Sequence, residues 1–360
     1  MNRINRLILK FEGLFGFLLP ASTPRIISNG GGTPAQTIAV LEKLVIGGND
    51  QWVLERSENT DNPIILFLHG GPGTSQLTMN RKNTKELEKS FIVVNWDQRG
   101  AGKSYKAITD ACKMNIDQFV ADTRELTLYL LKKFRKKRII LLGHSWGSVI
   151  GAITASRYPE LYYCYVGVGQ IANMEEGERE SYHWTIRQAV ERKDARAIAA
   201  LQNIGPPPYQ GDWQAKIINE RRLLARFGGE VYASKSGAFS MVLRSLLFSR
   251  EYSFMDRINF FRGVLGSQRL LWPELLKVDL FKSIREFVIP VYLLEGRQDH
   301  EVPSTVAERY FDEIKAPSKE LIWFENSAHM VSFEERDKFN KVLVDRIRPS
   351  IVLEESAKSV

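Results

Sequence analysis

Cysteine is nearly missing from this chain of 360 residues, which holds only Cys112 and Cys164. Two thiols in no ligand spacing build neither a disulfide framework nor a zinc site. Cys164 lies in the apolar run YYCYVGVG and is expected to pack as a small core residue. Histidine is scarce as well, at five residues, and no cluster of His, Cys and Asp has metal-ligand spacing. No metal and no cofactor is therefore expected. Internal repeats and low-complexity tracts are absent, which excludes solenoid and fibrous architectures. No apolar run reaches the roughly 20 residues that span a bilayer. Leu7 to Leu19 (LILKFEGLFGFLL) comes nearest, but Lys10 and Glu12 interrupt it. It makes a poor signal peptide. It is expected to pack on the protein or to make a weak membrane-surface contact. The expected compartment is thus the cytoplasm, with any membrane association through this segment.

Acidic charge is also in deficit, leaving a net charge of +8. Part of the excess is the run Lys132-Lys133-Phe134-Arg135-Lys136-Lys137-Arg138 at the end of a predicted helix, where cations suit the helix dipole. Aromatic interleaving and nucleic-acid motifs are lacking, so no nucleic-acid partner is expected.

Against these absences stands one well-marked stretch, Arg138 to Ser148, RIILLGHSWGS. Apolar Ile139 to Leu142 read as a buried strand, VIGAITASRYPE reads as a helix, and Gly143-His144-Ser145-Trp146-Gly147 lies between them. Strand, G-x-S-x-G and helix together form the context of a nucleophile elbow. The turn must be sharp enough to hold the Ser145 hydroxyl clear of the strand, and flanking glycines let the backbone double back.

Around this stretch the chain alternates short apolar strands with helices. Strands are expected at Thr37–Ile46, Gln51–Ser57, Pro63–Leu68, Phe91–Trp96 and Leu161–Val168, and helices near 83–90 and over Asn115–Phe134. From about 171 to 286 the signals are helical only, over Glu178–Ile204, Asp212–Phe227, Gly237–Phe248 and Glu251–Leu265. Strands resume at Ile289–Glu295 and Glu320–Glu325, with a last helix near 332–347. The expected organisation is an apolar segment and linker (1–36), a first core part (37–170), a helical cap (171–286), and a second core part with its tail (287–360). The fold class is α/β: a mostly parallel sheet covered by helices on both faces, with the cap inserted.

A serine hydroxyl needs a base within hydrogen-bond reach and a third group to orient that base. Among the five histidines, His144 sits inside the elbow, His69 lies in a Gly-rich loop, His183 falls in the cap and His300 follows an aspartate. His329, in the small-residue loop Asn326-Ser327-Ala328-His329-Met330 after the last strand, stands where a base must stand. A histidine base at its ordinary value sets an acid limb at about pH 6 to 7. Asp299, in the loop after IPVYLLE, is the first choice of orienting acid, with Glu295 and Glu301 as alternatives. The order Ser145, Asp299, His329 is the nucleophile–acid–base order of α/β-hydrolases. For the oxyanion, the backbone N–H of Trp146 is one expected donor. The loop His69-Gly70-Gly71-Pro72-Gly73 supplies the other, Gly71 before Gly70.

Three motifs together, His69-Gly70-Gly71-Pro72-Gly73, Asp97-Gln98-Arg99-Gly100-Ala101-Gly102-Lys103-Ser104 and Gly143-His144-Ser145-Trp146-Gly147-Ser148, resemble the proline iminopeptidase family of α/β-hydrolases. The resemblance covers roughly residues 37–170 and 287–347. It implies a serine triad, no metal, a helical cap, and release of an N-terminal residue, typically proline, from short peptides. It also implies acidic cap residues that hold the free amine. The chain departs from the family after the strand following the elbow, where it reads Gly167-Val168-Gly169-Gln170-Ile171-Ala172-Asn173-Met174. The amine-binding acid is therefore sought among Glu175, Glu176, Glu178 and Glu180, with Glu178 as the representative. The alternatives are a carboxylic ester or lactone hydrolase, for which Tyr182, Trp184, Tyr209, Trp213 and Trp272 would line an apolar pocket, and a non-catalytic binding protein on the same fold.

Overall fold

Two glycines open the architecture. β1 (Ile38–Ile46) and β2 (Asn49–Ser57) pair antiparallel with Ile46 opposite Asn49. Only Gly47 and Gly48 connect them, at φ +56° and +74°, the left-handed pair that lets a two-residue turn follow the twist of its strands. β2 also pairs antiparallel with β4 (Ile92–Asp97), and β4 runs parallel to β3 (Ile64–Leu68). The order here is β1-β2-β4-β3. Every residue of β3 and β4 is buried, as uninterrupted apolar runs require.

The computed structural model describes residues 20–27, 36–109, 113–232, 237–349 and 351. The apolar segment Leu7–Leu19 and Cys112 lie outside them. The chain divides into two compact units, Met1–Ile140 with Phe239–Leu271, and Leu141–Ala238 with Trp272–Val360. The helical stretch between the sixth and seventh strands is shared between the two.

The first unit holds β1 to β4, α1 (Leu77–Asn83) and α2 (Ile116–Phe134). Asn115 caps α2 by accepting the Gln118 N–H at 2.8 Å, and Arg135 ends it at φ +53°. Its buried stripe, Phe119, Val120, Thr123, Leu126 and Leu130, is the one the periodicity predicts. Asp122, on the same helix, meets Arg99 in an ion pair of 2.9 Å with both side chains fully buried. Gln51 donates to the same carboxylate at 2.8 Å. α7 (Gly237–Leu247) and α8 (Phe254–Leu275) bring most of their length to this unit. There Leu246, Tyr252 and Phe260 pack on Leu54 and Leu77.

The second unit holds most of β5 (Ile139–His144), then β6 (Tyr162–Val168), β7 (Val291–Gly296) and β8 (Lys319–Phe324). They follow one another in that order, and β6, β7 and β8 are parallel. α3 (Trp146–Arg157) leaves β5 directly. α4 (Met174–Glu191), α5 (Ala195–Ile204) and α6 (Trp213–Phe227) pack around Tyr182, Ala189, Leu201 and Phe227, and α9 (Ser304–Glu313) follows β7. The single helix expected over 178–204 is two, because Lys193 turns left-handed at φ +54° and Asp194 starts anew by accepting the Ala197 N–H at 2.9 Å. The helix expected at 83–90 is a short 3-10 helix over Lys85–Lys89, preceded by α1. The helix expected to stop at Leu265 runs on to Leu275, carrying Pro273 inside it. Among the described residues no helix is long and apolar enough to cross a membrane.

Candidate active site

β5 delivers Ser145 into a backbone conformation that few side chains adopt, φ +54° and ψ −120°. The strain is over-determined on both sides. The Ser145 N–H donates to Val168 O at 2.9 Å, and its carbonyl accepts the Ser148 N–H at 2.7 Å. A Cβ at Gly143 would stand 2.2 Å from Gly147 O, so only glycine lets the strand end and the helix start pass each other. Trp146 is the first residue of α3, fully buried, and its N–H lies in the first turn of that helix, where the backbone donors point along the axis toward the helix N-terminus.

The loops after β7 and β8 bring Asp299 and His329 together. Asp299 Oδ2 lies 2.7 Å from His329 Nδ1. The other oxygen, Oδ1, accepts the N–H groups of Glu301 (3.0 Å) and Val302 (2.9 Å), so the carboxylate is held at both ends. The His329 backbone is fixed too: its N–H donates to Glu230 O at 3.0 Å and its carbonyl takes His144 Nε2 at 3.0 Å. The His144 ring therefore sits 4.7 Å from the His329 ring. Gly169, one residue past the Val168 carbonyl that holds Ser145, lies at φ +54°, and a Cβ there would be 2.9 Å from His329 Nδ1. Close passage of the backbone beneath the imidazole is what this glycine permits. Of the alternative acids, Glu295 accepts the Gln170 N–H at 2.9 Å and is buried.

A second group of charges surrounds the pair. Of the four acids at the start of α4, Glu176 pairs outward with Arg309 at 2.7 Å, Glu180 accepts from Thr305 at 2.8 Å and Glu175 is exposed. Glu178 alone turns inward, to 2% exposure. There it meets Arg221 of α6, which also pairs with the buried Glu220 and lies 3.9 Å from Glu301. Glu230 completes the group beside His329. Three carboxylates thus share the Arg221 guanidinium, and Glu230 also feels its charge. Burial, with Glu220 and Glu301 nearby, pushes Glu178 up to about 7 despite Arg221. Burial and Glu301 likewise push Glu230 well above the usual carboxylate range. Burial alone would depress His329, but Asp299, Glu301 and Glu230 outweigh it and hold the imidazole at about 9. If His329 is the base, its acid limb lies above the range of about pH 6 to 7 set by the ordinary histidine value.

Glu178 Oε2 has no hydrogen-bond partner, and neither has the Tyr209 hydroxyl. Both residues belong to the second unit, where Glu178, Pro207, Tyr209, Trp213, Trp272 and Leu276 line a cavity of about 180 Å³. Trp213 and Trp272 stack there with rings 6.4 Å apart.

The other candidates have separate settings. Gly71 has φ +123°, and a Cβ on it would stand 2.5 Å from Gly73 N. With Gly70 it belongs to the first unit, and the oxyanion role of both rests on the sequence motif. His69 accepts the Gln98 N–H at 3.2 Å and is held by burial at about 4. His300 stacks on Trp184 at 4.1 Å, and burial likewise holds it at about 4. Sequence reasoning missed Glu220, Arg221, Glu230 and Gly169, and weighed Glu301 only as an orienting acid. Their positions lack a motif, and no periodicity marks an ion cluster assembled from two helices and two loops.

The sheet and its helices agree with what comparison with known proteins finds. Residues 63–336 match the alpha/beta hydrolase fold family, and the chain belongs to it. It is similar to the probable aminopeptidase YbaC of Bacillus subtilis, 36% identical over 309 residues, covering 86% of this chain and 96% of that one. It is also similar to the proline iminopeptidase of Saccharolobus solfataricus, 24% identical over 313 residues, covering 85% and 91%. Among solved structures, the proline iminopeptidase of Mycobacterium smegmatis superposes with a TM-score of 0.63 at 17% identity, covering 88% of this chain and all of that one, and so shares the fold.

Proposed function

We propose that the protein is a serine hydrolase that releases an N-terminal proline or other small residue from short peptides through an acyl-enzyme on Ser145. In this reading His329 takes the Ser145 proton as the oxygen attacks the scissile carbonyl. It then returns that proton to the leaving amine. Asp299, bonded to Nδ1, fixes the ring so that Nε2 is the free nitrogen and stabilises the imidazolium that forms. The Trp146 N–H at the start of α3 donates to the oxyanion. Water then repeats the sequence and frees the product acid.

The observation that carries the peptidase reading is the charge deficit around Arg221. A buried carboxylate cluster short of positive charge favours a cation, and a protonated N-terminal amine is one. Glu178, which lines the cavity beside Trp213 and Trp272, would take it first, with Glu230 and Glu301 adding their charge. An ammonium seated there also offsets the negative field on His329, so substrate binding itself favours the neutral base. The name of the relative in Bacillus subtilis points the same way.

Ester hydrolysis is the second reading, favoured by the aromatic and proline lining around Trp213 and Trp272. The test compares a free-amine proline amide, its N-acetylated form and a short aryl ester in the single variants Glu178→Gln, Glu230→Gln and Glu301→Gln. Loss of a buried charge partner predicts a KM penalty of about 2 to 5 kcal/mol for the free amine only. Good ester turnover, with none of the three variants separating the substrates, would leave the ester reading in its place.

A further inference from the structure

α7 and α8 are apolar on two sides. Their inner sides pack, with Leu246, Phe260, Val242 and Val264 against Leu54 and Leu77. Their outer sides repeat the pattern in the open. Phe239, Leu243 and Leu247 recur every fourth residue on α7, and Phe254, Phe261 and Leu265 follow seven and four apart on α8. Phe239 is 67% exposed, Phe248 52%, Met255 54% and Leu265 52%. The Phe239 and Phe261 rings lie 6.5 Å apart, joining the two rows into one face. Folding of the chain alone does not call for such a face, and exposed apolar patches of this kind mark interaction sites.

Its charges are all of one sign. The exposed ionic residues of Phe239–Leu271 are Arg244, Arg250, Arg262 and Arg269. The two acids of the same stretch are withdrawn: Glu251 is buried, and Asp256 pairs with Lys103 at 2.7 Å. Large apolar side chains interspersed with arginines, without an exposed carboxylate, are the composition of a surface that enters the headgroup region. The sequence adds a second observation. Ser22 donates to Arg250 O at 2.9 Å and Thr23 to Glu251 at 3.1 Å, so the chain beyond the apolar stretch Leu7–Leu19 is fixed at the corner between the two helices.

We propose that the outer face of α7 and α8 docks on the surface of a bilayer containing anionic phospholipids. The apolar row enters the interface and the four arginines meet the phosphates. The test is flotation of the full chain with vesicles of phosphatidylcholine, with and without phosphatidylglycerol, at low and high salt. Binding is expected only with the anionic lipid and is expected to weaken with salt. Each arginine near such a surface contributes about 1 kcal/mol, so Arg244→Gln with Arg262→Gln should lower the partition constant roughly thirtyfold. Phe239→Ser with Phe261→Ser should lower it at least as much. Both pairs are on the surface and should leave hydrolysis of a soluble ester unchanged, which checks the fold. Failure of the full chain to float with anionic vesicles overturns the proposal. So does undiminished binding in both double variants, which would make residues 7–19 the anchor. Concentration-dependent dimers abolished by the phenylalanine pair, without vesicle binding, would assign the face to a second copy instead.

Discussion

Removing one negative charge, Glu301→Gln, should speed one substrate and slow another. Glu301 acts on His329 in two separable ways. Its backbone N–H supports Asp299 Oδ1 at 3.0 Å and is untouched by the change. Its side-chain charge is among the causes holding His329 at about 9. A base with that value is neutral in only about 1% of molecules at pH 7, by the reference arithmetic of titration. A nearby charge shifts a pKa by about one unit or more; taking one unit, the acid limb moves to near 8 and the neutral fraction rises about tenfold. For an uncharged aryl ester, kcat/KM at pH 7 should therefore rise roughly tenfold, equivalent to about 1.4 kcal/mol. For a free-amine substrate it should fall, because the cluster has lost an anion. The ion pair given up is a long one, 3.9 Å from Arg221 and partly exposed, so melting should change by less than about 1 kcal/mol. The assay is the pH profile of kcat/KM for the ester, whose acid limb reports the free enzyme. A wild-type limb at pH 6 to 7, or a limb that Glu301→Gln leaves in place, would refute the reasoning.

Other outcomes follow from single contacts. Ser145→Ala should lower kcat by several orders of magnitude with melting unchanged, and a fluorophosphonate probe should label Ser145 alone; labelling of another serine sinks the assignment. Gly169→Ala puts a methyl 2.9 Å from the His329 ring, and a displaced base should cost about 100-fold in kcat; normal turnover in this variant would deny the close approach. Tyr252→Phe removes the hydroxyl that donates to buried Asp97 at 2.6 Å. Urea unfolding should register a loss of about 1.5 to 3 kcal/mol, the range for a hydrogen bond to a charged group.

The elbow and the strands around it are legible in the sequence because their signals are local. A buried strand reads as a run of apolar residues, a G-x-S-x-G turn has its own steric demand, and α2 shows its face through its own spacing. Ser145 is marked by the turn it occupies, and Asp299 and His329, which the structure pairs, by the loops after their strands. Helix limits were less legible where a single residue decides them, as the left-handed Lys193 divides what periodicity reads as one helix. The ion cluster around Asp299 and His329 was not legible at all. Glu178 looks in sequence like one of four equivalent acids at a helix start, and only packing turns it inward while Glu175 stays in water. Arg221, Glu230 and Glu301 come from distant parts of the chain, and nothing in their neighbours says that they share one low-dielectric site. Local sterics write the elbow at Ser145 into the sequence. The charge on His329 depends on which distant carboxylates burial brings within reach, since Coulomb interaction counts distance in space and desolvation, and the tertiary structure alone sets both.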